Sequence, residues 1–100
     1  MSDLMVSLSH RLSQDEVLRR IRAAVAHAKV QYSDKINDLG DNWNGYVGAF
    51  EVSGMGQKAS GNVAVNPSDV TVQIKLPFAA SLFKSKIESW IRDTLTRILA

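Results

Sequence analysis

The chain has 100 residues, 12 basic and 10 acidic side chains, a formal net charge of +2 and no cysteine. That length predicts one domain over residues 1–100, and the missing thiols exclude disulfides, zinc–thiolate sites and thiol nucleophiles. Charge this close to balance argues against a nucleic-acid binder, which concentrates its positive charge on one face; here only Arg11, Arg19, Arg20 and Arg22 cluster, with Asp15 and Glu16 among them.

The first ten residues, MSDLMVSLSH, lack a basic segment followed by an apolar run. No later stretch approaches the ~20 apolar residues that cross a bilayer, so a soluble, cytoplasmic protein without a transmembrane segment is expected. Within LMVSL (4–8), Leu4, Val6 and Leu8 alternate, which predicts a short strand. A helix start follows. Ser13 and Glu16 have the spacing of a capping box, and Leu12 and Val17 that of a hydrophobic staple. Val17, Ile21, Val25, Ala28 and Tyr32 then recur at three- and four-residue steps, one core-facing stripe on a helix over 13–32.

Residues 33–42 are polar apart from Ile36 and Leu39. In Trp43-Asn44-Gly45-Tyr46, the Asn-Gly pair offers the two left-handed positions of a type I′ turn. A strand starting near residue 38 is therefore expected to end at Trp43, with its partner over 46–52. Ser53-Gly54-Met55-Gly56 reads as a second turn, leading into QKASGNVAV (57–65). Asn66-Pro67-Ser68-Asp69 reads as a third, leading into VTVQIKL (70–76). In that last strand Val70, Val72, Ile74 and Leu76 alternate with polar residues, as in a sheet covered on one side only.

After Pro77 the periodicity becomes helical, predicting a helix over 80–99. Ile87, Ile91, Leu95 and Ile98 form its main stripe, and Phe83, Trp90 and Leu99 widen it. Glu88–Arg92 and Asp93–Arg97 are acid-before-base pairs at i,i+4, worth about 0.2–0.5 kcal/mol each. The order β-α-β-β-β-β-α predicts a two-layer α+β fold, an antiparallel sheet of four to five strands with both helices on one face.

Chemistry is hard to find in these residues. His10 and His27 have no carboxylate at metal-ligand spacing, so no metal site is expected. Gly54-Met55-Gly56 precedes no helix and completes no phosphate-binding fingerprint, and no serine stands in a G-x-S-x-G elbow. Asp34, Asp38 and Asp41 read as solvated loop charges. No catalytic residue and no cofactor is expected. What remains is the stretch LPFAASLFKSKIESW (76–90). Phe83, Ile87, Ile91, Leu95 and Ile98 are what the dry face of a sheet requires, but the apolar arc is broader than one sheet contact demands. The candidate binding residues are Phe78, Leu82 and Trp90 at the edge of that arc, with Lys84 and Lys86 placed to snorkel at a phospholipid or granule surface.

The element order, the Trp43-Asn44-Gly45 turn, the glycine of S-G-N-V-A-V and above all the passage L-P-F-A-A-S-L-F-K-S-K-I-E resemble the polyhydroxyalkanoic acid system proteins. These are small bacterial proteins encoded beside genes for making and using polyhydroxyalkanoate, some reported or presumed at granule surfaces. The resemblance runs from the strand at Leu4 through the terminal helix, and His10-Arg11-Leu12-Ser13 matches the stretch that opens the family's first helix. The polar segment from Ser33 to Asn42 is longer than the family pattern. The resemblance implies a non-enzymatic, granule-associated or regulatory role at storage granules, with a granule surface or a granule protein as partner. It carries over no residue of established function. A second reading comes from the sheet: Gly45, Gly48 and Gly61 permit curvature or room for a hydrophobic ligand gripped between sheet and C-terminal helix. A cavity lined by Phe50, Val63, Val72 and Ile74 would mark that reading, and a filled core the first. A homodimer is compatible with both.

Overall fold

The alternation in LMVSL becomes strand β1 (Ser2–Ser9), with Leu4 and Val6 buried. The computed structural model describes residues 2–31, 38–54 and 57–100, with the side chains of Ser2, Asp38, Leu39, Phe78 and Ala79 outside that description. Helix α1 (Gln14–Gln31) starts where the capping signal puts it, and the Glu16 N–H donates to Ser13 Oγ at 3.1 Å. Only half of the capping box closes, because Arg19 and Arg20 take the Glu16 carboxylate instead. Leu12 and Val17, the staple pair, both join the core cluster. Tyr32, Ile36 and Asp34 lie outside the described residues.

Four more strands follow: β2 (Asp38–Asn44), β3 (Val47–Gly54), β4 (Gln57–Val65) and β5 (Asp69–Leu76). The sheet order is β1-β5-β4-β3-β2, with every neighbouring pair antiparallel. Helix α1 thus links the two edges of the sheet. The predicted fold class, an antiparallel sheet bearing both helices, is what the chain adopts.

The first hairpin turn sits one residue later than predicted. Asn44 pairs with Val47, so Gly45 and Tyr46 are the loop residues, and Gly45 supplies the left-handed conformation at φ +62°. Tertiary bonds from Tyr46 account for the shift: its hydroxyl donates to Asp15 Oδ1 at 2.5 Å, and its carbonyl accepts from Val65 N–H at 2.8 Å. In the second turn Gly54 pairs with Gln57, and Met55 and Gly56 lie outside the described residues. The third turn is the predicted one. Asn66 N–H donates to Asp69 carbonyl at 2.8 Å, and Asn66 Nδ2 to Asp69 Oδ1 at 2.6 Å.

The C-terminal helix departs further from expectation. It is two pieces: α2 (Phe78–Ser81), a single turn, and α3 (Lys84–Leu99). Pro77 carries the extended conformation that ends β5, and Phe83, at φ −109° and ψ 21°, breaks the helical path before α3. Neither Glu88–Arg92 nor Asp93–Arg97 is among the described ion pairs, which are Glu16 with Arg19 and Arg20, and Lys29 with Asp41. Arg97 instead donates to Thr94 Oγ1 at 3.5 Å.

The core forms where α1 and α3 meet the sheet. Val17 and Ile21 of α1 and Ile91 and Leu95 of α3 pack with Leu4 and Val6 of β1, Val63 and Val65 of β4, and Val70, Val72 and Leu76 of β5. Two rows across the sheet show how its helix-facing side is filled. One runs Val6, Val72, Val63, Gly48, Trp43, and the other Leu4, Ile74, Gly61, Phe50, Asp41. Each row passes from branched aliphatics to a glycine and then, on the next strand, to an aromatic. The Trp43 ring lies against Gly48, where a Cβ would stand 2.7 Å from it, and the Phe50 ring approaches Gly61 at 3.0 Å from such a Cβ. An aromatic ring across from a strand glycine restores the packing that the missing side chain gives up.

Candidate functional site

The passage from β5 to α3 builds the candidate surface. Pro77 has no N–H and cannot extend the ladder, so the chain leaves the sheet and makes one tight turn, closed by Ser81 N–H to Pro77 carbonyl (3.1 Å) and Phe83 N–H to Ala80 carbonyl (3.0 Å). Helix α3 then begins one residue beyond the break. Leu82 is 77 % exposed and Phe83 57 % exposed at this joint, and Trp90, two turns along α3, is 55 % exposed. Lys84 and Lys86 are exposed in the first turn of α3. Four of the five candidate residues therefore stand at the surface, on the joint and the first half of α3. Phe78 opens α2, and its side chain lies outside the described residues.

Phe83 corrects the sequence reading. It was expected in the core stripe, and the break turns it outward. A wheel drawn through an unbroken helix cannot anticipate this, because Phe83 lies off the helical path that aims Ile91 and Leu95 at the sheet. Ile87, also expected in the core, is half-buried against it. Among the described residues, the exposed set at this joint and along α3 is accordingly Leu82 and Trp90, as expected, together with Phe83, which was not.

The other candidates resolve into structural contacts. His10 is buried: its Nδ1 accepts the Leu12 N–H at 3.2 Å, so its Nε2–H donates to the Asn66 carbonyl at 3.0 Å, tying the end of β1 to the β4–β5 turn. No periodicity in the sequence signals that role. His27 is exposed on α1. Asp41 is on strand β2 rather than in a solvated loop, taking bonds from Lys29 Nζ (2.6 Å) and Trp43 Nε1 (3.0 Å). Those two bonds, Lys29's first, hold its carboxyl below the usual carboxylate range. Three of the four arginines of the basic cluster are likewise engaged: Arg19 and Arg20 bind Glu16, Arg20 Nη1 also donates to the carbonyls of Ile98 and Ala100 at 2.9 Å, and Arg22 lies over the Trp43 ring at 6.0 Å. Arginines committed in this way make poor phosphate ligands.

The residues named for a ligand cavity, Phe50, Val63, Val72 and Ile74, come together as part of the packed cluster, and the room beside Gly48 and Gly61 holds aromatic rings. An open depression of about 480 Å³ is lined mostly by residues whose register sets them on the opposite face, among them Asn42, Ala49, Glu51, Ser60, Asn62 and Lys75. Its lining mixes polar and small residues with the Phe50 side chain. Among the described residues no group of three His, Asp or Glu side chains is placed to hold a metal ion, and no described helix is long and apolar enough to cross a membrane.

Comparison with known proteins decides the family. The sequence model described as "Putative polyhydroxyalkanoic acid system protein" matches residues 4–99. The chain belongs to this family. The match runs from Leu4 in β1 to Leu99 in α3, so it takes in both the polar stretch at 33–42 and the whole α2–α3 surface. No curated protein and no solved structure matches the chain. Membership in the polyhydroxyalkanoic acid system family gives the chain an accessory, non-enzymatic role.

Proposed function

We propose that this protein is an accessory component that attaches to the polyhydroxyalkanoate granule surface, or to a protein on it, through the exposed edge of α2 and α3. The observation that carries this reading is the exposure of Leu82, Phe83 and Trp90 beside Lys84 and Lys86. Large apolar side chains exposed along a joint and the first half of a helix are unfavourable in water and gain stability at an interface. The fold does not need them exposed: Ile91, Leu95, Val17 and Ile21 already close the sheet. The ligand-grip alternative has less behind it, since the aromatic rings of Trp43 and Phe50 take up the room the sheet glycines leave.

The test is location in granule-forming bacteria. A fluorescent fusion of the wild-type chain is expected to ring the granules, and the Leu82→Ser/Trp90→Ser variant to spread through the cell at equal abundance. A wild-type fusion that stays diffuse while granules accumulate would refute the attachment.

A further inference from the structure

We infer that the α2–α3 surface recognises an anionic lipid layer, by its charge as well as its apolar side chains. The inference rests on the docking reading above and specifies what the docked surface must carry. A helix leaves its first N–H groups unpaired, so its N-terminus carries partial positive charge and favours acidic residues. Helix α3 does the opposite. Its first turn holds no acidic residue but has Lys84 and Lys86, and its N-cap residue Phe83 offers no side-chain acceptor to the free N–H groups. Neither lysine forms an ion pair among the described residues. Two unpaired ammonium groups at the positive end of a helix work against folding, and nothing in the core requires them.

Their neighbours explain the arrangement. Leu82 and Phe83 directly precede the lysines, and Trp90 stands one helical turn beyond Lys86, at i+4 on the same face of α3. Positive charge interleaved with exposed apolar side chains fits a partner with an apolar interior and a negatively charged boundary. An anionic lipid layer has both: acyl chains for Leu82, Phe83 and Trp90, and headgroups for the two lysines at the end of their flexible stems. A bare polyester is neutral and gives the ammonium groups no counter-charge.

The experiment uses the full chain with Trp43→Phe, so that Trp90 is the sole tryptophan, and folding is checked first by circular dichroism. Binding is read by co-sedimentation and Trp90 emission on neutral phosphatidylcholine vesicles, on vesicles with a rising fraction of phosphatidylglycerol, on lipid-free polyester particles and on native granules. The expected result is affinity that rises with the anionic fraction and falls with salt, a blue shift of Trp90, and about a fivefold loss for each of Lys84→Gln and Lys86→Gln. Equal binding to neutral and anionic vesicles, or to lipid-free polyester, overturns the inference, as does full affinity in the folded double lysine variant. Binding to native granules without binding to any vesicle also overturns it, pointing to a granule protein and leaving the docking reading intact. Failure to bind native granules removes the docking reading itself.

Discussion

Glu16 shows how much one side chain of this protein is asked to do. Its backbone N–H is capped by Ser13, and its carboxylate receives Arg19 at 2.5 Å and Arg20 at 2.7 Å, while Arg20 reaches on to the last carbonyls of the chain. Hydrogen bonds from Arg19 and then Arg20 bring its pKa down from 4.5 to about 2. A carboxylate with a depressed folded-state pKa adds stability that is fully present above its unfolded value and is lost as pH falls toward the folded one. Wild-type protein should therefore lose stability from about pH 4.5 down to about pH 2 partly through Glu16, and Glu16→Gln should show a shallower decline in denaturation curves over that window. Tyr46 works with the opposite sign. Its bond to Asp15 raises the phenol pKa, so that contribution is intact below the ordinary value of 10.0 and fades as pH rises past it. At Gly45 no atom stands within 4 Å of an added Cβ, so Gly45→Ala should cost only the left-handed backbone strain, about 1 kcal/mol. A melt indistinguishable from wild type would contradict the turn.

Among the elements, the sheet offers a graded test. A Cβ at Gly48 meets the Trp43 ring, a side chain that can move, whereas one at Gly61 collides with the Gln73 backbone carbonyl oxygen. Both alanine variants should be destabilised by about 1–3 kcal/mol, with Gly61→Ala the worse; equal melting temperatures would count against the close approach of the Gln73 carbonyl to Gly61, and wild-type melting of both against the aromatic-over-glycine packing. The strands and α1 were legible in the sequence because their signals are local: alternation in VTVQIKL, the Ser13 cap, the stripe from Val17. The one-residue shift of the hairpin was not, because Asp15 and Val65, far away in sequence, hold Tyr46 in the loop. The break at Leu82–Phe83 escaped for a related reason. Apolar periodicity continues straight through it, and the only warning, Pro77, stands five residues earlier. The exposure of Leu82 and Trp90 was anticipated from the width of the apolar arc, and that of Phe83 was not.

For the whole molecule, stability and docking belong to different faces of α3. Ile91 and Leu95 face the sheet and are buried, so Ile91→Ala or Leu95→Ala should cost about 2–5 kcal/mol through the cavity left behind, with half-buried Ile87→Ala nearer the lower limit. Leu82, exposed at the joint before α3, can change to Ser within about 0.5 kcal/mol. This separation allows the attachment to be removed without unfolding the protein. The most direct measurement is co-sedimentation of wild type and Leu82→Ser/Trp90→Ser with purified polyhydroxyalkanoate granules, each protein first shown by chemical denaturation to be folded. Attachment through α2–α3 predicts that wild type pellets with the granules and the equally stable variant stays in solution. A folded variant that pellets as completely as wild type would contradict it.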